Sequence, residues 1–379
     1  MIVDPWTSET VDYKKIMKEF GINPISQEIL PDAEQSIDMR WFKNNIIFAH
    51  RDLDKIFNAK KQGKPVAVLS GIKPSGEFHF GSKQVVEELV MFQKLLKCKV
   101  YYCVADYEAY ADNGDWIDKT KQTAVSNIAD VFALGLDPKH SYVYLQSKEP
   151  IVQEYAFYFS KKITNATFKA VYGDKPLSLY MSALIQIGDI LLPQHPSQGG
   201  PKNVLVPVGV DQDPHIRLTR DVAEKNGFIS PSSTYHYFIR SLDGSQKMSK
   251  RNPDSMLTFA DSDKDIKRKI SRALTGGRDT VEEQKKKGGN PEKCTIIELS
   301  NYHIESIAEL QQRINKCKTG QLLCGECKQQ IITKLTEFIS KHRKKKEKFI
   351  PLATAIVERG IFDGESEEGK KLIKKYLGD

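Results

Sequence analysis

The chain has no run of apolar residues approaching the roughly 18 needed to cross a bilayer, so a membrane-spanning role is not expected. Cysteine is scarce, six in 379 residues, and a chain of this length buries a large core without a disulfide framework. There is no internal repeat and no extended low-complexity tract. The opening Met1-Ile2-Val3-Asp4-Pro5-Trp6 lacks the basic segment and apolar stretch of a secretory signal, so a cytoplasmic location is expected.

The composition is that of a soluble globular protein, 40% hydrophobic and 28% charged. A formal charge of +8 suits a polyanionic partner, because neutralised phosphates release counterions. Many soluble proteins carry such an excess without binding nucleic acid, so the charge alone does not decide. The length suggests two domains and a short extension.

Residues 1–62 read as an N-terminal extension with helical stretches near Tyr13–Phe20 and Leu53–Lys61. At Val66–Ser70 a short buried strand appears, followed by a Gly- and Pro-rich turn and a helix over Ser82–Leu96. Strands at Val100–Ala105, Tyr142–Leu145 and Val204–Val208 then alternate with helices at Lys119–Leu134, Leu177–Leu192 and Pro214–Lys225. Short strands interleaved with longer helices predict a Rossmann-like α/β domain over 63–255, a parallel sheet with helices on both faces. From about Asp254 only amphipathic helix is legible: Asp263–Ala273, Ser300–Lys316, Leu322–Phe349 and Glu367–Tyr376. An all-helical C-terminal domain over 256–379 is therefore expected.

Two segments carry phosphate chemistry. Gly71-Ile72-Lys73-Pro74-Ser75-Gly76-Glu77-Phe78-His79-Phe80-Gly81-Ser82 lies between the first strand and its helix, where open α/β sheets bind nucleotides. Glycines permit close backbone approach, and helix N-terminal amides with a histidine can meet phosphate oxygens. Gln246-Lys247-Met248-Ser249-Lys250-Arg251 places two lysines about a hydroxyl residue, suited to charge on a transferring phosphate. Either segment alone also reads as a glycine-rich turn or a solvated loop; about 170 residues apart on one sheet, they form a pair.

That pair resembles the HIGH and KMSKS signatures of class I aminoacyl-tRNA synthetases. Gly209-Val210-Asp211-Gln212-Asp213-Pro214-His215-Ile216-Arg217-Leu218-Thr219-Arg220-Asp221 resembles the tryptophanyl-tRNA synthetases of archaeal and eukaryotic type. So do Val3-Asp4-Pro5-Trp6, Phe48-Ala49-His50-Arg51-Asp52 and Thr275-Gly276-Gly277-Arg278-Asp279-Thr280. The resemblance implies activation of tryptophan by ATP with Mg2+, transfer to the 3′ end of tRNA(Trp), and a homodimer. It places His79, Lys247, Ser249 and Lys250 in catalysis, and Gly71, Gly81, Asp211 and Met248 around ATP. Glu108 would face the α-amino group, with Gln186 and Gln212 at the polar end of the amino acid. Leu69 and Cys103 fall where eukaryotic members place Tyr and Gln for the indole N–H, and neither is a good acceptor. Either another acceptor serves, or selection is weak, or the chain is a diverged paralogue that binds tRNA without normal charging. A small-molecule nucleotidyltransferase can share the ATP signature but has no need of a helical domain after the lysine loop.

Cys294, Cys317, Cys324 and Cys327 read C-x22-C-x6-C-x2-C. Four thiolates so spaced can hold zinc or a [4Fe–4S] cluster, as in some tryptophanyl synthetases, or are incidental cysteines on neighbouring helices. Lys341-His342-Arg343-Lys344-Lys345-Lys346-Glu347-Lys348 is a candidate phosphate-positioning face for tRNA, or a solvated charge run.

Overall fold

The computed structural model describes residues 12–245, 247–248 and 252–378. Among the described residues eight strands form one sheet: β1 (Asn23–Pro24), β2 (Ile47–Arg51), β3 (Val66–Ile72), β4 (Lys99–Val104), β5 (Ser141–Leu145), β6 (Asn203–Gly209), β7 (Ser232–His236) and β8 (Ile361–Asp363). Their spatial order is β1-β2-β7-β6-β3-β4-β5-β8. The five central strands, β7-β6-β3-β4-β5, run parallel. Val66–Ser70, the first five residues of β3, and all five residues of β5 are buried, as strands covered on both faces require.

The side on which successive strands are added reverses about β3. From β3 the chain steps outward to β4 and β5 through the helices Phe80–Leu96 and Ile117–Ala133. It then returns by Pro150–Ser160 and Leu177–Leu191 to the other side of β3, as β6, before Asp213–Lys225 leads to β7. A crevice opens at such a switch point, outside the carboxyl ends of β3 and β6.

Outer strands tie the two ends of the chain onto this sheet. β2 pairs antiparallel with β7, and β1 with β2. The C-terminal part is helical except for β8, which departs from the all-helical expectation. After the left-handed turn at Gly360, Ile361, Phe362 and Asp363 pair antiparallel with β5. Lys99 Nζ fastens the edge at 2.9 Å from both Asp363 and Glu365. Three residues are too few to show alternation, and covering the β5 edge is their physical role.

The expected helix at Ser300–Lys316 is two helices, Thr295–His303 and Ile307–Lys318. Ser306 and Glu309 form a capping box that starts the second. The last long helix runs Cys324–Arg359, through Pro351. It packs on Ile117–Ala133 and carries His342 to Asp130 at 2.7 Å, joining the helical part to the sheet domain. Among the described residues no single helix is long and apolar enough to cross a membrane.

Candidate active site

The crevice at the switch point holds two adjoining cavities. One, of about 230 Å³, is lined by Gly71, His79, Gly81, Asp211, Lys247 and Met248, among others. The other, of about 240 Å³, is lined by Leu69, Cys103, Glu108, Gln186 and Gln212. Gly71, Ile72, Val85, Gly209 and Gln212 border both, so the two are chambers of one cleft. Ser249 and Lys250, with Gln246 and Arg251, lie outside the described residues, as does Val3-Asp4-Pro5-Trp6.

His79 is the N-cap of Phe80–Leu96, and its Nδ1 accepts from the amides of Gly81 at 3.1 Å and Ser82 at 3.3 Å. Those amides therefore serve the histidine, not a phosphate as the glycine-rich turn suggested. Accepting at Nδ1 places the ring proton on Nε2, which is the donor His79 can offer a phosphate. A Cβ at Gly81 would sit 2.9 Å from His79 Cε1, so a side chain there would displace the capping ring.

Opposite, Gly209 ends β6 and lets the chain turn beneath Phe238, whose ring leaves no room for a Cβ at that position. Lys247 Nζ lies 4.5 Å from the centroid of that ring and 2.6 Å from Asp211 Oδ2. The landmark segments around His50 and Asp213 hold this corner together. Arg51 donates to both oxygens of buried Asp213 at 2.9 and 3.1 Å, Tyr235 donates to the same carboxylate, and Arg220 reaches Asp52 at 2.8 Å.

In the second chamber a residue not singled out from the sequence takes the central place. Asp189 accepts from Tyr144 Oη at 2.9 Å and Gln146 Nε2 at 2.6 Å, with Cys103 Sγ at 3.6 Å. Burial drives its carboxyl up to about 7, against the opposing pull of those three donors. Burial also raises the Cys103 thiol well above its ordinary range, so it stays protonated and acts as a donor. Gln146 is fixed at both ends, its Oε1 accepting from the Glu108 amide at 3.4 Å. Burial raises the Glu108 carboxyl too, and the charge of Lys73 opposes the rise. The available signal was spacing: Asp189 lies three residues after Gln186 on one helix, hence on the same face.

The four late cysteines line one cavity of about 10 Å³. The glycine backbone closes on them, since a Cβ at Gly277 or Gly289 would lie 2.9 Å from the sulfur of Cys324 or Cys317. Arg313 donates to Cys327 Sγ at 3.4 Å. Four thiols beside a cation fit a metal in chemistry, but the space does not fit a cluster. Among the described residues no three His, Cys, Asp or Glu side chains are set to hold an ion.

The family model described as tRNA synthetases class I (W and Y) matches residues 60–340. The chain is 41% identical to a tryptophan–tRNA ligase of Methanocaldococcus jannaschii, over 94% of this chain and 98% of that one. It is 42% identical to that of Aeropyrum pernix, with the same coverage. The crystal structure of tryptophanyl-tRNA synthetase from Aeropyrum pernix K1 superposes with a TM-score of 0.85 at 40% identity, covering 93% of this chain and 98% of that one. With a HIGH-like histidine and a KMSKS-like lysine facing one cleft, the chain belongs to the class I tRNA synthetases that serve tryptophan and tyrosine, on the tryptophanyl branch.

Proposed function

We propose that the two chambers are the site where this tryptophan–tRNA ligase joins tryptophan to ATP, the nucleotide on the His79 side and the indole on the Asp189 side. The contiguity of the chambers through Gly71, Gly209 and Gln212 carries this reading. The tryptophan carboxylate attacks the α-phosphorus, an oxygen–phosphorus bond forms, and pyrophosphate leaves. The tRNA 3′-terminal hydroxyl then attacks the adenylate carbonyl and releases AMP.

The protein's part is positioning and charge stabilisation. His79 Nε2–H and Lys247 neutralise phosphate charge, with Ser249 and Lys250 of the same loop. Asp211 takes the ribose hydroxyls, Met248 and Gly81 border the base, and Glu108 faces the ammonium. Gln186 and Gln212 bridge ammonium and carboxylate without titrating. Asp189 supplies the indole N–H acceptor that Leu69 and Cys103 lack, which removes the ground for a non-charging paralogue. Mg2+ arrives with the triphosphate and, when bound, neutralises part of its charge. Purified protein should catalyse ATP–pyrophosphate exchange that depends on tryptophan; exchange supported equally by tyrosine would sink the indole assignment.

The remaining partners have their own surfaces. Lys341, Lys344, Lys345 and Lys348 are exposed at i, i+3, i+4 and i+7, one stripe for tRNA phosphates. Three residues of that basic run serve the fold instead: His342 and Lys346 pair with Asp130, and Arg343 donates to the Phe259 and Asp261 carbonyls. For the homodimer, Tyr110, Phe157 and Met181 line an apolar groove of about 610 Å³, with Phe157 77% exposed. Its helices carry Glu108 and Gln186 toward the amino-acid chamber, so a second copy here would brace that chamber; sedimentation at twice the chain mass is expected. Zinc or a [4Fe–4S] cluster at Cys294, Cys317, Cys324 and Cys327 would be structural and would require the cavity walls to part. Metal analysis of protein purified without oxygen tests it. A cytoplasmic location agrees with these substrates. The segments 1–62, 63–255 and 256–379 serve as extension, activation domain and anticodon-binding domain.

A further inference from the structure

Three residues lie together beside the nucleotide chamber and have no part in the chemistry above. Glu88, on the helix that His79 caps, is fully buried, and Gln84 sits one turn before it. His236 ends β7. Gln84 and His236 are 2% and 4% exposed, and both line the chamber beside Gly81, Phe238, Ile239 and Met248.

Glu88 fixes the polarity of the other two. Its Oε2 lies 3.1 Å from His236 Nδ1, and its Oε1 lies 3.3 Å from Gln84 Nε2. A carboxylate only accepts, so His236 carries its proton on Nδ1 and keeps a lone pair on Nε2. The amide of Gln84 is oriented by the same logic. Its second neighbour, the Tyr237 carbonyl at 3.2 Å, is also an acceptor, so Nε2 must occupy that end. Both amide protons are then engaged, and Oε1 offers only lone pairs. One buried carboxylate thus turns two neighbouring side chains into acceptors.

We infer that Gln84 and His236, oriented by Glu88, select adenine over guanine by accepting from the exocyclic 6-amino group. That group brings two N–H donors. Guanine presents a carbonyl oxygen at the same position, and lone pairs would face lone pairs on side chains that are themselves buried. An unpaired polar group in such a site is strongly disfavoured, so polarity gives sharper discrimination than shape alone. The apolar faces of Phe238, Ile239 and Met248 suit either purine, which leaves the choice to these acceptors. The inference rests on assigning this chamber to the nucleotide.

Tryptophan-dependent pyrophosphate exchange with ATP, GTP and purine riboside triphosphate, which has hydrogen in place of the 6-amino group, tests it. The wild-type protein should lose about tenfold or more in kcat/KM when the amino group is removed, and more again with GTP. His236→Leu should bring ATP part of the way down to the level of purine riboside triphosphate, since Gln84 still accepts, while leaving that analogue unchanged. Glu88→Gln provides a second arm with little change of shape. Its amide can donate to His236 Nδ1, move the ring proton to Nε2, and improve GTP relative to ATP. Equal losses with ATP and the analogue in His236→Leu, and an unaltered ATP-to-GTP ratio in Glu88→Gln, would overturn the inference while leaving the chamber assignment intact. Exchange with none of the three nucleotides in the wild-type protein would overturn the chamber assignment, and the inference with it.

Discussion

Replacing Asp189 with Asn is expected to lower kcat/KM for tryptophan about 10- to 100-fold, as removing a hydrogen bond to a charged group does. Two further signs separate this from general damage to the chamber. The first is selectivity: wild-type protein should reject 3-benzothienylalanine, which carries sulfur in place of the indole N–H, by a similar factor. An asparagine amide has only one acceptor oxygen, and Tyr144 and Cys103 already donate at one end of the group it replaces. The variant should therefore discriminate far less. The second sign is pH. The Asp189 carboxyl is driven up to about 7 by burial, so it is ionised above that pH and protonated below it. Tryptophan donates to the ionised form, so its affinity should rise as pH increases through about 7 and weaken as pH falls. Asparagine does not titrate, and the step near 7 should vanish in the variant. Glu108 titrates in both proteins and cancels in the comparison. A discrimination factor and pH step unchanged by the substitution would move the acceptor role elsewhere.

Lys247→Ala should lower kcat for pyrophosphate exchange on the order of 100- to 1,000-fold, the range for loss of one well-placed charge-stabilising donor. The KM for ATP should change much less. Lys247 Nζ lies 2.6 Å from Asp211 and over the Phe238 ring. A ribose binding Asp211 competes for that carboxylate and releases the lysine toward the phosphates. Adenosine, which has a ribose and no phosphate, gains nothing from the lysine and must displace it. It should therefore bind the variant as tightly as the wild-type protein, or tighter. Steady-state kinetics with adenosine inhibition measures both, and a variant with full kcat, or with weakened adenosine binding, would contradict the exchange of partners at Asp211.

Much of this is legible in the residues. The spacing of apolar runs locates β3, β4, β5 and β6 to within a residue or two, because each is a short buried run bounded by turns. β7 escapes notice because Ser232-Ser233-Thr234-Tyr235-His236 looks polar. Two of its three buried Ser and Thr hydroxyls find partners, Ser232 on the Asp52 carbonyl and Ser233 on Tyr235, while Thr234 Oγ1 has none among the described residues. β2 ends in Arg51, whose ion pair with Asp213 spans 162 residues and cannot be read locally. At the site, motif spacing brings His79, Gly81, Asp211, Lys247 and Met248 to one chamber. Asp189 is missed because a lone aspartate in the apolar helix Leu177–Leu191 shows no motif. Its meaning depends on Tyr144 and Gln146, which come from a different strand and loop. The lysine run at 341–348 shows the converse: local charge suggests one continuous face, and the fold divides it between exposed lysines and residues with internal partners.

The most direct measurement is a crystal structure of the protein with a non-hydrolysable tryptophanyl-adenylate analogue. Its adenine should lie between Gly81 and Met248, its phosphate mimic near His79 Nε2, and its indole N–H within about 3.2 Å of an Asp189 oxygen. An indole seated away from Asp189, or an analogue confined to one chamber, would contradict the assignment of the cleft as a single two-chambered activation site.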